Sequence, residues 1–209
     1  MDGVLVDSTE LHTVAWEQYL ARLGVDGAGI MERMLGKRND QIVYDLFGPD
    51  LPPAEAARHG AEKEALYREL MGPVFGRYAV PGAAEFVREA AAAGMPLGLG
   101  TNAEPRNVEF VLGRAGLEGR FQAIVDGHQV SRPKPDPEIY LEVARRLGKD
   151  PRNCVVFEDS PGGMAAARAA GARLVGVLTT LSEAPGADLA IRDFTGGRLR
   201  EWLSEQRPV

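Results

Sequence analysis

Side chains that could do phosphate chemistry stand directly after short apolar runs of this 209-residue chain. Carboxylates are the hard oxygen ligands that Mg²⁺ prefers, and water and a substrate phosphate usually complete its coordination. A lysine ammonium and a threonine hydroxyl can hold the remaining phosphate oxygens and neutralise their charge. The residues concerned are Asp2 near the start, Thr101 and Asn102, Lys134, and Glu158 and Asp159. These residue types predict a magnesium-assisted reaction on a phosphate group.

Each of these motifs also has an ordinary structural explanation. A Glu-Asp pair or a Thr-Asn pair after a strand often caps the next helix, and Lys-Pro-Asp-Pro forms rigid turns. Their joint occurrence, in order and at the ends of apolar runs, favours a catalytic site. Ser160 to Gly163 then open a helix whose backbone N–H groups would face the same anion-binding region.

The elements that must position these residues alternate from Val80 onward between Ala-rich helical stretches and short apolar runs. This alternation predicts an α/β fold, a doubly wound parallel sheet with a Rossmann-like core. Ligands bind such sheets at the carboxyl ends of the strands. The predicted strands are 96–100, 123–125, 154–157 and 174–178, and the predicted helices are 83–93, 105–115, 137–147 and 163–170.

A different pattern occupies residues 11–78, where helical periodicity at 11–23 and 54–70 comes without a convincing buried strand. Gly72-Pro73 and Val80-Pro81-Gly82 mark the return to the α/β pattern. We therefore predict a small α-helical cap domain at 11–78, inserted into a core domain formed by 1–10 and 79–209.

Composition narrows the classes of partner. The formal charge of −6 and the pI of about 5.2 give no reason to expect binding to nucleic acid or to an anionic membrane. No stretch approaches the roughly 20 apolar residues of a membrane span, and Met1-Asp2-Gly3 is not a basic signal-peptide start. The single cysteine, Cys154, lies in an apolar run and fits a packed thiol in a reducing compartment. We expect a cytoplasmic monomer.

Four ordered motifs carry a family resemblance that covers essentially the whole chain. Asp-Gly-Val-Leu-Val-Asp-Ser, Gly-Thr-Asn, Lys-Pro-Asp-Pro-Glu and Val-Phe-Glu-Asp-Ser-x-x-Gly resemble the motifs of the haloacid dehalogenase superfamily. The predicted helical insert resembles the cap of the subgroup that contains β-phosphoglucomutase and phosphoglycolate phosphatase. This resemblance implies a Mg²⁺ cofactor and a small phosphorylated metabolite as the partner.

The resemblance also implies roles for individual residues. Asp2 would be the general acid and base, with its backbone carbonyl in the magnesium shell, and Glu158 and Asp159 would hold the metal. The nucleophile in the family's Asp-x-Asp-Gly motif would lie one residue before Met1. The central strand that leads into it would be missing, which predicts a vacant strand position between the strands ending at Thr101-Asn102 and at Glu158-Asp159.

By the same resemblance, Thr101 and Asn102 contact the transferring phosphoryl group, and Lys134 stabilises its charge. Pro133 stands where the family often has glycine, so a shifted register with Arg132 as the cation is a second possibility. The continuation Pro137-Glu138 favours Lys134.

Cap residues offer two interpretations. His12 and the stretch Gly36-Lys37-Arg38-Asn39 resemble positions that face the substrate in β-phosphoglucomutase-like proteins. Alternatively, His12 packs beside Trp16 one turn away, and Lys37 and Arg38 belong to a solvated loop.

The leading hypothesis is a magnesium-dependent phosphatase that hydrolyses a sugar phosphate or similar metabolite through an aspartyl-phosphate. A β-phosphoglucomutase-like mutase is the alternative within the same chemistry. An alternative of another class is an N-terminally truncated, inactive fragment that binds metal or phosphate. A dehalogenase is less favoured, because Glu158-Asp159 would build a cation site that halide displacement does not require.

Overall fold

The computed structural model describes residues 1–34 and 37–206. The predicted substrate contact of Gly36 lies outside the described residues. The strands are Gly98–Thr101 (β1), Ala123–Asp126 (β2), Val155–Glu158 (β3), Arg173–Val177 (β4) and Leu189–Ile191 (β5). The helices are Thr9–Arg22 (α1), Ile30–Met34 (α2), Asn39–Phe47 (α3), Pro53–Met71 (α4), Phe75–Tyr78 (α5), Ala83–Ala92 (α6), Pro105–Ala115 (α7), Glu138–Leu147 (α8), Pro161–Ala169 (α9) and Gly197–Glu205 (α10).

The strands form two parallel sheets, β1-β2 and β3-β4-β5. The α/β prediction is therefore confirmed, and each predicted strand and helix lies within about two residues of its observed ends. Register brings the strand ends level, with Thr101 beside Asp126 and Glu158 beside Gly176. The sequence analysis missed β5 and α10, and within the predicted cap it made no separate prediction for α2, α3 and α5.

An apolar slot separates the two sheets. Within the described residues, β1 pairs only with β2 and β3 pairs only with β4, so one edge of each strand carries no ladder partner. The slot has a volume of about 320 Å³ and is lined by both strands, including Leu99, Gly100, Val156 and Phe157. The single sheet of the prediction is thus two sheets, and the missing strand between them stays a prediction.

Helices α1 to α5 form a helical lobe. α1 buries Leu11, Ala15, Trp16, Tyr19 and Leu20 along one face, and it packs mainly on α4. Because these positions recur at helical spacing, the pattern predicted α1 correctly. No helix in the described part of the chain has both the length and the apolar character that a membrane crossing needs.

Two connections join the helical lobe to the α/β part, and they run side by side. The Asp7 amide donates to the Tyr78 carbonyl at 2.8 Å, and the Val80 amide donates to the Leu5 carbonyl at 3.0 Å. Val6 also bridges to Ala79 in antiparallel fashion. The predicted division at residues 10 and 79 stays a prediction, and this pairing is compatible with it.

Candidate active site

A cleft of about 170 Å³ opens where the carboxyl ends of β1 and β3 meet the N-terminal segment and the helical lobe. Eight of the residues singled out from the sequence line it. They are Asp2, His12, Lys37, Thr101, Asn102, Lys134, Glu158 and Asp159. The parallel strands explain this convergence, because their carboxyl ends share one edge.

Glu158, at the end of β3, is buried, and both of its carboxylate oxygens accept hydrogen bonds. Lys134 and the Tyr140 hydroxyl both donate to its Oε1, and the Ser160 hydroxyl donates to its Oε2 at 3.2 Å. Burial alone would raise the pKa of this carboxyl, but the charge and hydrogen bond of Lys134 outweigh burial and lower the pKa to about 2. Glu158 therefore fixes the position of the Lys134 ammonium at the cleft.

Thr101 closes β1 at the cleft and is 3% exposed. Its Oγ1 accepts a hydrogen bond from the Ala103 amide at 3.1 Å, which turns the chain toward α7. The hydroxyl proton is left available to donate toward the cleft, which Thr101 lines together with Asn102.

Gly163 allows the Glu158 carboxylate to lie against the first turn of α9. Ser160 caps this helix, accepting a hydrogen bond from the Gly163 amide at 3.1 Å. A Cβ at residue 163 would stand 2.1 Å from the Glu158 carboxylate. Only glycine fits this position without displacing the partner of Lys134.

We expect Gly163→Ala to lower kcat at least about tenfold, because displacing Glu158 releases Lys134 and leaves buried charge poorly paired. The measurement is phosphate release together with urea unfolding. Gly162→Ala is the matched control, since a Cβ there meets nothing closer than Lys134 Cβ at 4.0 Å. Equal activity in the two variants would contradict the role of this close approach.

Asp159 lies against the turn made by the first residues. The Thr180 hydroxyl donates to its Oδ2, and a Cβ at Gly3 would stand 2.0 Å from the same oxygen. Gly3 has φ +67°, a conformation that disfavours side chains independently of the contact. The Thr179 hydroxyl donates to the Gly3 carbonyl at 2.5 Å and secures the turn.

Burial and the neighbouring charge of Glu158 raise the pKa of Asp159 to about 6. A carboxyl whose pKa is raised in the folded state destabilises the fold once it ionises, and stability falls as pH rises from about 4 through about 6. We expect metal-free Asp159→Asn to be more stable than the parent by about 1 to 3 kcal/mol near pH 7.5 and not near pH 4.

Urea unfolding in chelator at both pH values measures this difference, with the exposed Asp50→Asn as the control. We expect the same Asp159→Asn variant to lose most of its magnesium-dependent turnover. A stability difference between variant and parent that does not change with pH would show that the ionised Asp159 does not destabilise the fold.

Asp2 accepts a hydrogen bond from the Ser8 hydroxyl at 2.7 Å, and His12 Nε2 lies 3.6 Å from the same Oδ1. Burial would raise the pKa of Asp2, but the neighbouring His12 imidazole and the hydrogen bond from Ser8 hold it well below its usual range. The His12 ring stacks on Tyr67 with centroids 3.8 Å apart. Asp2 is thus an oriented carboxylate at the cleft.

Sequence reasoning missed Lys63 and Glu64 of α4, which line the cleft beside His12. Lys63 is 1% exposed, and its Nζ lies 2.8 Å from both His12 Nδ1 and Glu64 Oε1. The charge and hydrogen bond of Lys63 offset burial and lower the pKa of Glu64 to about 2. A signal was present, because His59, Lys63 and Tyr67 recur every fourth residue on the buried face of α4.

Lys37 and Arg38 have different environments. Lys37 lines the cleft, but its Nζ pairs with Asp45 at 2.5 Å in a half-exposed position. Arg38 lies outside the cleft lining: it binds Asp40 through two donors at 3.1 and 2.8 Å and donates to the Gly127 carbonyl at 2.8 Å. The predicted substrate contact of Arg38 is therefore not supported, because Asp40 and the loop after β2 occupy its guanidinium.

Arg132 is no substitute for Lys134 at the site. Its side chain is 70% exposed and pairs with Asp136 at 3.2 Å and Glu138 at 3.4 Å. The side chain of Lys134 is 9% exposed and reaches Glu158. This geometry therefore favours Lys134 over Arg132 as the cation at the cleft.

A magnesium ion fits the oxygen donors near Asp159. Among the described residues, no three Asp, Glu, His or Cys side chains converge as a metal cluster, and the expected ligation by Glu158, Asp159 and the Asp2 backbone carbonyl stays a prediction. Mg²⁺ commonly takes only one or two carboxylates, with water and phosphate filling the other positions. Asp159 suits this role because the negative charge of Glu158 repels its own, and a bound cation would relieve that repulsion. Glu158, in contrast, already has Lys134 as its cationic partner.

Comparison with known proteins identifies the family. A family model described as haloacid dehalogenase-like hydrolase matches residues 1–171. The fructose-1-phosphate phosphatase YqaB of Escherichia coli is 33% identical, covering 85% of this chain and 93% of its own. The β-phosphoglucomutase of Bacillus subtilis is 29% identical, covering 99% of this chain and 92% of its own.

Among solved structures, CbbY from Rhodobacter sphaeroides in complex with xylulose-(1,5)bisphosphate has a TM-score of 0.78 and 30% identity. The match covers 93% of this chain and 92% of that one. Family model, relatives and fold agree with the four motifs, and this chain belongs to the haloacid dehalogenase-like hydrolases.

Proposed function

We propose that this chain is a magnesium-dependent phosphatase that hydrolyses small sugar phosphates through an aspartyl-phosphate intermediate. The observation that carries the proposal is the meeting of Lys134, Thr101, Asp159 and Asp2 around one cleft. A buried ammonium, a hydroxyl and carboxylates at one strand edge suit phosphoryl transfer, which depends on positioning and charge stabilisation. The helical lobe contributes polar side chains to the cleft lining, which suit a small hydrophilic substrate: His12, Lys37, Asn39, Lys63 and Glu64.

Each residue has a role in this proposal. Lys134 Nζ, fixed by Glu158, and the Thr101 hydroxyl bind phosphoryl oxygens and stabilise their negative charge. Asp2 would give a proton to the leaving oxygen and later take one from the attacking water, so it must take up a proton when substrate binds, because its low pKa leaves it ionised in the free chain. Asp159, with the Asp2 carbonyl, would hold Mg²⁺, which supplies Lewis-acid stabilisation of the phosphoryl charge when bound.

We further propose that in the active enzyme an extended apolar strand fills the slot between β1 and β3. The support is the slot itself, with two unpartnered strand edges and walls such as Leu99 and Val156. A parallel strand there would end at the cleft beside Thr101 and Glu158. By the family resemblance, its last residue is the nucleophilic aspartate.

The named relatives support sugar phosphates as the substrate class. The Escherichia coli relative is named for fructose 1-phosphate, and the solved CbbY complex holds a phosphorylated pentulose. These are properties of those proteins and guide the choice of substrates for this one. A cytoplasmic location and a monomeric state stay predictions.

The test is to incubate the natural protein and Mg²⁺ with a panel of hexose, hexitol and pentulose phosphates and to measure free phosphate and isomerised sugar phosphate. Released phosphate that depends on Mg²⁺ supports the phosphatase. Isomerisation of a hexose 1-phosphate, primed by its bisphosphate, would instead identify a mutase. Absence of both reactions across the panel would contradict the proposal.

A further inference from the structure

A polar contact joins the helical lobe to the α/β part on one side of the cleft. Arg68 of α4 donates to Glu104 Oε1 and to Asn107 Oδ1, both at 2.5 Å. Asn107, in the first turns of α7, donates through Nδ2 to Glu64 Oε2 at 2.5 Å. The amide of Asn107 therefore accepts from one residue of α4 and donates to another.

Burial makes the loss of any bond in this contact costly in free energy. Asn107 is 2% exposed and Glu64 is 3% exposed, so water cannot easily replace a missing partner. An amide side chain offers a donor and an acceptor on separate atoms of one end group, which is what the two partners require. Moving α4 away from α7 would break both bonds of Asn107 together with the Arg68–Glu104 ion pair.

The contact continues from Glu64 to the cleft. Glu64 Oε1 accepts from Lys63 Nζ at 2.8 Å, and Lys63 lies 2.8 Å from His12 Nδ1. His12 in turn lies 3.6 Å from Asp2. Each of these side chains takes its position from the previous one, so α7 is linked to Asp2 through the helical lobe.

We propose that Asn107 and Arg68 are positioning residues that hold α4 against α7 and thereby place the Lys63–His12 pair beside Asp2. The inference rests on the proposed function for its effect on turnover. Its effect on the position of the helical lobe is independent of any activity. Asn107 and Arg68 act through Glu64 and Lys63 and do not touch the reacting group.

The test uses one substitution that introduces charge repulsion, Asn107→Asp, and a second that removes it, Glu64→Gln. Asn107→Asp places a second carboxylate beside Glu64, which removes a donor and adds repulsion. Adding Glu64→Gln to this variant restores the pattern, because the introduced amide can donate to the introduced carboxylate. Its oxygen can still accept from Lys63 and from the Asn39 side-chain amide, which both donate to Glu64 Oε1 in the parent. Arg68→Lys weakens the contact from the other side, and Arg58→Lys, in an exposed pair on the same helix, is the control.

Two readouts are needed. Spin labels at exposed positions Ala61 and Glu109, in a Cys154→Ala background, report the distance between α4 and α7. Steady-state kinetics on the best sugar phosphate report kcat and KM separately. We expect Asn107→Asp and Arg68→Lys to lengthen and broaden the distance and to lower kcat about 10- to 100-fold, because small misplacements of positioned groups reduce rates by such factors.

We expect the double variant to recover the parent distance and most of kcat, and the Arg58→Lys control to match the parent. Unchanged distances in both single variants, or a double variant that stays open, would overturn the inference. If Asn107→Asp does not fold, Arg68→Lys decides the outcome alone. If no variant or parent releases phosphate, the proposed function fails, while the label distances still decide whether this contact holds the lobe.

Discussion

Replacing Asp2 by asparagine is expected to lower kcat of the natural protein by about 10² to 10⁴, the usual contribution of a general acid and base. Asparagine keeps the size of the side chain and can still accept the hydrogen bond from Ser8, but it cannot exchange a proton. The fold should survive, because Asp2 lies at the cleft with a side chain 34% exposed. Phosphate release and thermal unfolding measure the two quantities.

Asp7→Asn is the matched control, since Asp7 belongs to the same N-terminal segment and does not line the cleft. It should keep nearly normal turnover. An Asp2→Asn protein with turnover equal to that of the Asp7→Asn protein would assign proton transfer to another residue. A folded but slow Asp2→Asn protein that keeps the parent KM would support a role confined to the chemical step.

Filling the slot between β1 and β3 is expected to decide between an active and an inactive protein. Residues 1–209 alone should be compared with the same residues preceded by an extended apolar segment that ends in aspartate. Two strand edges would then gain ladder partners, and each buried backbone group that finds one is worth about 1 to 3 kcal/mol. We expect a clear rise in the unfolding temperature and the appearance of Mg²⁺-dependent phosphate release.

Two control segments separate structure from chemistry. The apolar segment ending in asparagine should restore stability without turnover, and a Gly/Ser segment ending in aspartate should restore neither. Full activity of residues 1–209 with no added segment would refute both the proposed strand and its nucleophile.

The positions of the site residues could be predicted because parallel strands place their carboxyl ends at one edge. The positions of Thr101 and Glu158 at this edge could be predicted from the apolar runs that precede them in the sequence. The division of labour between neighbouring carboxylates could not be read from the sequence, since it depends on Lys134 and Tyr140 reaching Glu158 from elsewhere in the chain.

Other features escaped for identifiable reasons. β5 has three residues, too few for a periodic signal. Lys63 and Glu64 occupy the buried face of α4, where charge is usually absent, so their burial depends on partners 51 and 43 residues away in sequence. Resemblance alone suggests a substrate contact for Arg38, and the sequence could not show that its guanidinium pairs with Asp40 and with the Gly127 carbonyl of a distant loop.

The pairing of the two connections near Val6 and Ala79 means that the helical lobe is inserted between two neighbouring points of the chain. Since the chain leaves the α/β part at Asp7 and re-enters beside it at Tyr78, a short turn between these points could replace the lobe without moving any strand. Closing such a short loop costs less entropy than closing a long one. Recombination could therefore exchange one lobe for another on the same strand edge, and each new lobe would have to supply its own neighbours for Asp2 in place of Lys63 and His12.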